Sequence, residues 1–372
     1  MIPKKVFNLI LVVGVVFCSY SPVFAKTTEE ELAELKSRIA KLEQDKAQQG
    51  EGILGDWSDK IHISGVVEVE GFYKDYQAAG TNSTKTSDIT LSNVELSIDT
   101  DIAEYVRGNV LLKYEDGTDV TVDEGTITLG GVEGASFYLT AGKFVVPFGM
   151  FNSHFISDPI TLSIGETNDN GVSLGYANDY FEAALGVFNG DIDELGSHDV
   201  LESIAASVVF TPSLDGLHLE DVGISLGISY ISNIIDSGGF EDTPAGTAGE
   251  VQDYVSGLSG FLSLSCQAFT LEAEYVGALE SSGVGELVDA KELKPGAWNI
   301  ELAYAVNDKL EIAGKYECSD GLWDLYPEQQ YGPVISYSLF ENTTLAVEYL
   351  YAEYENGDAT RDLVTTQLAI AF

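Results

Sequence analysis

The sequence predicts an all-β fold: a transmembrane antiparallel β-barrel of about 16 strands, preceded by a short N-terminal α-helix. Three observations carry this expectation. From Ile61 to the C-terminus, apolar and polar residues alternate with a period of two. The segments between the alternating runs are short and long by turns, as in bacterial barrels with tight hairpins at one end and larger loops at the other. Past residue 25 no uninterrupted apolar run approaches the ~18 residues of a membrane helix, so an integral membrane form of this chain has to be a barrel.

Composition narrows the partners. The 372 residues include 60 acidic and 18 basic side chains, a formal charge of −42. Nucleic acid is therefore not an expected partner, because its phosphates need Lys and Arg to neutralise them. Yet 45% of the residues are hydrophobic, too many for a disordered acidic tail. Abundant glycine (38) and tyrosine (19) beside scarce methionine (2) and tryptophan (3) suit strands punctuated by turns.

Residues 1–25 read as a secretory signal, with Lys4 and Lys5, an apolar core from Val6 to Phe17, and a cleavage site at Val23-Phe24-Ala25. The bulky Phe17 before Cys18 fits a lipoprotein signal poorly, so cleavage after Ala25 is expected. Residues 26–50 read as a periplasmic coiled-coil helix. Thr28 caps it, Glu29, Glu30 and Glu31 occupy the first turn, and Leu32, Leu35, Ile39 and Leu42 follow heptad spacing. Two heptads are marginal alone, so a homo-oligomer is expected.

Residues 51–372 form the barrel. Ile61, Ile63, Val67, Val69 and Tyr73 alternate with His62, Ser64, Glu68, Glu70 and Lys74. Val94, Leu96 and Ile98 alternate with Glu95, Ser97 and Asp99; Val106, Val110, Leu112 and Tyr114 with Arg107, Asn109, Lys113 and Glu115. Later strands are expected to begin near Thr126, Ala135, Gly171, Tyr180, Ser203, Val222, Tyr254, Phe269, Ala297, Lys309, Gln330, Thr344 and Asp362. Long polar connections are expected at Asp75–Asp88, Glu115–Gly125, Phe144–Asn170, Asn189–Glu202, Ser232–Asp253, Gly277–Gly296, Ser319–Gln329 and Glu355–Arg361. Tyr and Phe gather at strand ends, where outer-membrane lipid meets water, and the chain stops on a final strand ending in Phe372. Cys266 and Cys318 fall at opposite barrel ends, so no disulfide between them is expected.

The connection at 144–170 differs from the others. It is long, aromatic and twice broken, by Pro147 ahead of Phe148-Gly149 and by Pro159 after Asp158. Proline removes a ladder donor, yet the stretch is too apolar for a loop solvated on all sides. A loop folded back against the inside of the barrel satisfies both facts. It would narrow the lumen, with His154, Asp158 and Glu166 on the loop opposite Arg107 and Lys113 on the wall, unless those two bases only neutralise neighbouring lumenal carboxylates, a reading at least as well supported; Lys143 is a further candidate of ambiguous parity. The inward acids Glu68, Glu70, Glu272, Glu274, Glu301, Glu311 and Glu348 would make the lumen negative and cation-preferring.

The segment G-K-F-V-V-P-F-G-M-F (Gly142–Phe151), running into I-S-D-P-I-T-L (Ile156–Leu162) and G-E-T (Gly165–Thr167), resembles the LbtU-type siderophore porin family. The order of signal, short coiled coil and barrel is similar as well, as are Gln330–Tyr337 and Phe340–Glu348. The resemblance implies a bacterial outer-membrane barrel that takes up small solutes, with ferric siderophores as the name-giving substrate, and a trimer. It supplies no ligand-contacting residues.

No catalytic motif is present: neither G-x-S-x-G nor a Walker sequence occurs. His62, His154, His198 and His218 lack metal-ligand spacing, so neither metal nor cofactor is expected. Besides a solute channel, the sequence leaves open a general cation-preferring porin, a structural protein tethered through its periplasmic helix, and a barrel enzyme.

Overall fold

The computed structural model describes residues 60–372, except 79, 133–134, 197–200, 215–220, 289–290, 324 and 355–358. The expected signal (1–25) and coiled-coil helix (26–50) lie outside the described residues.

Sixteen strands close into one barrel. In chain order they are β1 (Ile61–Ala78), β2 (Thr84–Ala103), β3 (Val106–Glu115), β4 (Thr121–Val132) and β5 (Ala135–Val145). There follow β6 (Asn168–Ala177), β7 (Phe181–Phe188), β8 (Ser203–Phe210), β9 (Val222–Ile231) and β10 (Gly257–Cys266). The wall is completed by β11 (Phe269–Ala278), β12 (Gly296–Asn307), β13 (Leu310–Asp320), β14 (Gln329–Phe340), β15 (Thr343–Glu353) and β16 (Ala359–Ala371). Each strand pairs with its neighbours in sequence, and β16 returns antiparallel to β1, from Val66↔Ala371 to Ala78↔Ala359. Closure leaves no unpaired edge, the condition for a sheet in lipid.

The period of two decides which side chain meets which solvent. On β11 and β12 the opposed pairs Phe269↔Tyr304, Leu271↔Leu302 and Tyr275↔Trp298 point outward, while Glu272↔Glu301 and Glu274↔Asn299 point inward. Phe269–Tyr304 and Tyr275–Trp298 each bring ring centroids to 4.7 Å, one pair towards each end of the outer face. Apolar residues exposed on the outer wall, among them Leu139, Leu185, Ile228 and Ile335, are the lipid-facing half of the alternation.

The connections alternate as the sequence predicts, with short turns at one end and longer loops at the other, but six of the long connections are shorter than expected. β1 and β2 run on to Ala78 and from Thr84, β4 begins at Thr121, and β16 at Ala359. Beyond the bilayer a strand has water on both faces, so alternation disappears while the hydrogen-bond ladder continues. Four register shifts, near Asp101, Gly130, Ala305 and Ser338, lie at the short-turn end, where bulges tighten a barrel rim. Cys266, at a short turn, and Cys318, near the opposite end of β13, are not joined by a disulfide.

The long connections are also less polar than the sequence suggests. The connections at 189–202, 232–256 and 279–295 carry buried apolar residues that the label "polar" hides: Ile192, Ile234, Ile235, Phe240, Val251, Val255, Leu287 and Leu293. They pack with inward residues such as Phe188, Ile231 and Val276 into one cluster that roofs part of the long-loop end. Two 3-10 turns (Ile234–Asp236, Gly238–Phe240), a short helix (Pro244–Ala248) and a parallel ladder of Asp193–Glu194 with Glu250–Val251 frame this roof.

Candidate functional site

The third connection at the long-loop end, residues 146–167, packs beneath the roof with Val146, Phe148, Ile160 and Ile164 and enters the barrel. The Val146 N–H still donates to the Thr167 carbonyl (2.9 Å), and there the ladder stops because Pro147 has no N–H. Gly149 adopts φ +77°, where a Cβ would run into the Phe151 ring. Phe148 is buried in the apolar cluster and turns the chain inward. Pro159 then precedes a single helical turn, Ile160–Ser163, which leads the chain back towards Thr167. Pro147, Phe148, Gly149 and Pro159 thus shape the loop.

An inward loop carries main-chain donors that neither water nor a ladder satisfies, and a buried N–H left alone is costly. The wall supplies acceptors. Glu274 takes the N–H groups of Met150 (2.8 Å) and Phe151 (2.9 Å). Glu301 takes the His154 N–H (2.6 Å) and the Ser153 hydroxyl (2.8 Å). Glu348 takes the N–H groups of Ile156 (2.8 Å) and Ser157 (3.0 Å). Glu317 takes the Ile160 N–H (2.8 Å), and Glu272 accepts from the Asn152 amide (3.3 Å). Gly149 donates to Ser229 (2.8 Å).

One cation ties the carboxylates together. Lys315 is fully buried, 3.3 Å from Glu301 and 3.9 Å from Glu317, and donates to the Ser157 carbonyl (3.1 Å). Glu272 and Glu301 stand directly opposite on neighbouring strands, a like-charge pairing that destabilises a bare sheet; donors from the loop and Lys315 make it tolerable. From the roof, Gly238 donates to the Glu166 carbonyl (3.2 Å), and Gly239 lies so close to the Ser163 carbonyl that a Cβ would not fit.

The other side of the loop meets β1–β4. Asp158 lies within electrostatic reach of Lys113, Lys315, Glu115 and Glu70, and Glu166 of Lys113, Asp158, Asp123 and Glu124. Burial raises the pKa of both loop acids from the ordinary carboxylate value; Lys113 opposes the rise in each, and Lys315 also opposes it for Asp158. On the wall, Glu68 and Glu95 share the Asn93 amide (3.2 Å each), Gln367 donates to Glu70 (2.9 Å), and Lys113 pairs with Glu115 (3.1 Å).

The structure therefore brings together Lys113, Asp158 and Glu166 but separates the other candidates. Arg107 is not opposite the loop; it donates to the Gly130 and Gly131 carbonyls (3.4 and 3.0 Å) near the short-turn end. Parity gave its face, but its height on the strand puts it at the far rim. Lys143 reaches the Val122 carbonyl (3.4 Å) from an exposed position. His154 turns to the opposite wall, with Nδ1 2.9 Å from Glu311. The expected set of bare lumenal acids is also corrected: Glu272, Glu274, Glu301 and Glu348 are buried against the loop. Their role was readable only as inward acids crowded on adjacent strands, beside a loop rich in unsatisfied N–H groups.

Sixteen antiparallel strands with an internal loop define a membrane-spanning barrel of the porin type, and comparison with known proteins agrees. The outer membrane channel DcaP of Acinetobacter baumannii is similar with a TM-score of 0.57 at 14% identity, over 84% of this chain and 97% of that one. An anion-selective porin from Comamonas acidovorans gives 0.59 at 14%, over 84% and 99%. OprB of Pseudomonas putida gives 0.59 at 10%, over 85% and 95%. At such identities the likeness establishes the fold alone.

In sequence, the chain is 24% identical over 320 residues to a UPF0422 protein of Coxiella burnetii (strain RSA 493 / Nine Mile phase I), covering 82% of this chain and 66% of that protein. It is 24% identical over 338 residues to the UPF0422 protein lpg2959 of Legionella pneumophila, covering 82% and 62%. The match spans less than two thirds of the length of these curated relatives. No family model matches the sequence.

Proposed function

We propose that the protein is an outer-membrane diffusion channel for small solutes, with a preference for cations and residues 146–167 as its constriction. One observation carries the reading. Where the loop meets β1–β4, carboxylates stand on both: Asp158 and Glu166 on the loop, Glu68, Glu70, Glu95, Glu115, Asp123 and Glu124 on the wall, with Lys113 among them, and a passage for solutes would run between them. In a narrow space with low-dielectric walls such a set concentrates cations and repels anions.

Reversal potentials of the purified protein in planar bilayers under a potassium chloride gradient test this. Their sign should report cation preference; clear anion selectivity overturns it. The anion selectivity named for the Comamonas acidovorans porin belongs to that protein.

The resemblance to siderophore porins supports a ferric siderophore as solute, and the acidic passage favours a neutral or cationic complex over an anionic one. Labelled-siderophore uptake and iron-limited growth, with and without the gene, test that assignment. The heptad pattern at Leu32, Leu35, Ile39 and Leu42 supports a homo-oligomer, a trimer by the same resemblance, with its helix in the periplasm. Light scattering of the detergent-solubilised protein, with and without residues 26–50, tests it.

A further inference from the structure

We infer that Glu348 is a latch: it holds the constriction loop at Ile156-Ser157 and so sets the width of the passage, instead of lending its charge to passing ions. The inference rests on the channel reading above.

The geometry points one way. The Glu348 side chain is fully buried, with 0% exposure. Oε2 accepts the N–H groups of Ile156 and Ser157, and Oε1 accepts the Ser157 hydroxyl at 2.5 Å. Both oxygens are therefore directed at the loop. Across the sheet Glu348 faces Val334 and Thr365, neither of them a charged partner that would explain a carboxylate at this position. Ser157 is gripped from a second side by Lys315, which takes its carbonyl.

Ser157 immediately precedes Asp158, the loop acid that faces the passage. Fixing the backbone at Ser157 fixes where Asp158 stands and how far the loop projects. Glu348 is thus a positioning residue, and Asp158 is the group that a passing ion meets.

Two conservative variants separate reach from charge. Glu348→Asp keeps the charge but withdraws the carboxylate by one methylene, out of range of both amides. Glu348→Gln loses the charge but keeps the bonds: its oxygen accepts both N–H groups and its NH2 donates to Ser157 Oγ.

Single-channel conductance, reversal potential and the size limit for neutral sugars in liposome swelling are measured for each. Glu348→Asp should raise conductance roughly twofold as the passage widens and admit larger sugars, with cation preference retained. Glu348→Gln should match the wild type in all three. The inference is overturned if Glu348→Asp leaves conductance unchanged, or if Glu348→Gln alters it as much as Glu348→Asp. If the wild type opens no channel, the functional reading falls by itself. Hydrogen exchange at the Ile156 and Ser157 amides then decides the latch: faster exchange in Glu348→Asp but not in Glu348→Gln upholds it, and equal rates refute it.

Discussion

Two stretches of one wall carry the same sequence pattern and serve different ends. On β1–β4, inward Glu68, Glu70, Glu95, Glu115, Asp123 and Glu124 are exposed or only half-buried. On β11–β15, inward Glu272, Glu274, Glu301, Glu317 and Glu348 are buried and hold the loop. Alternation places both sets in the lumen and says nothing more about them. The difference is the supply of donors. Where donors of the loop, mostly main-chain N–H groups, come within hydrogen-bond reach, a carboxylate becomes part of the structure; where they do not, its charge stays available to a solute. A count of lumenal acids therefore overstates the field in the passage.

The largest expected effect lies on the structural side. Lys315→Met would leave Glu301 and Glu317 buried without their cation, and both are fully buried. Breaking a buried pair by removing one partner costs about 3–5 kcal/mol, so urea unfolding in detergent should shift strongly. A variant as stable as the wild type would erase the distinction between the two walls.

A smaller structural cost, but a clear electrical one, is expected on the passage side. Asp158→Asn with Glu166→Gln should move the reversal potential towards zero. Stability should stay within about 0.5 kcal/mol, as for other substitutions that leave buried networks intact. An unchanged reversal potential would mean that the wall alone sets selectivity.

The smallest effect is expected in the roof. Asp236 accepts the Ile192 N–H (3.1 Å) and lies near the Ser203 hydroxyl (3.5 Å). Burial pushes its pKa up to about 7; Asp191 and Asp169 add to the rise, while the Ile192 N–H and Asn233 oppose it. The folded roof therefore keeps a proton that the unfolded chain, with an ordinary carboxylate, has already released above about pH 4. Stability from this group is greatest below pH 4, declines as the pH rises, and is lost once it passes about 7. Exchange of the Ile192 amide, corrected for its intrinsic pH dependence, should show more protection at pH 5 than at pH 8. Asp236→Asn should flatten that difference.

Much of this was legible in the sequence, and the reasons for the rest are specific. Outward Leu271 and Tyr275 beside inward Glu272 and Glu274 announce a strand between lipid and lumen. The strand ends at Thr84–Asp88 and Thr121 escaped because water on both faces removes the pattern. Pro147, Gly149 and Pro159 mark an inward loop, since such a stretch can neither pair as a strand nor stay solvated. Arg107 misled because parity fixes a face and not a height. Glu348 was read as a pore charge because its partners, Ile156 and Ser157, lie more than 190 residues away, beyond any local rule. Ile234, Ile235 and Phe240 escaped because their polar neighbours masked them.

The roof has a bearing on assembly. Its apolar cluster draws on connections at 146–167, 189–202, 232–256, 279–295 and 321–328, which meet only after the strands between them have crossed the bilayer. Such long-range contacts form late. The cylinder should therefore close first and the cap settle last, so newly inserted molecules would pass through a wider-mouthed stage, open to proteases added on the long-loop side until the cap is in place.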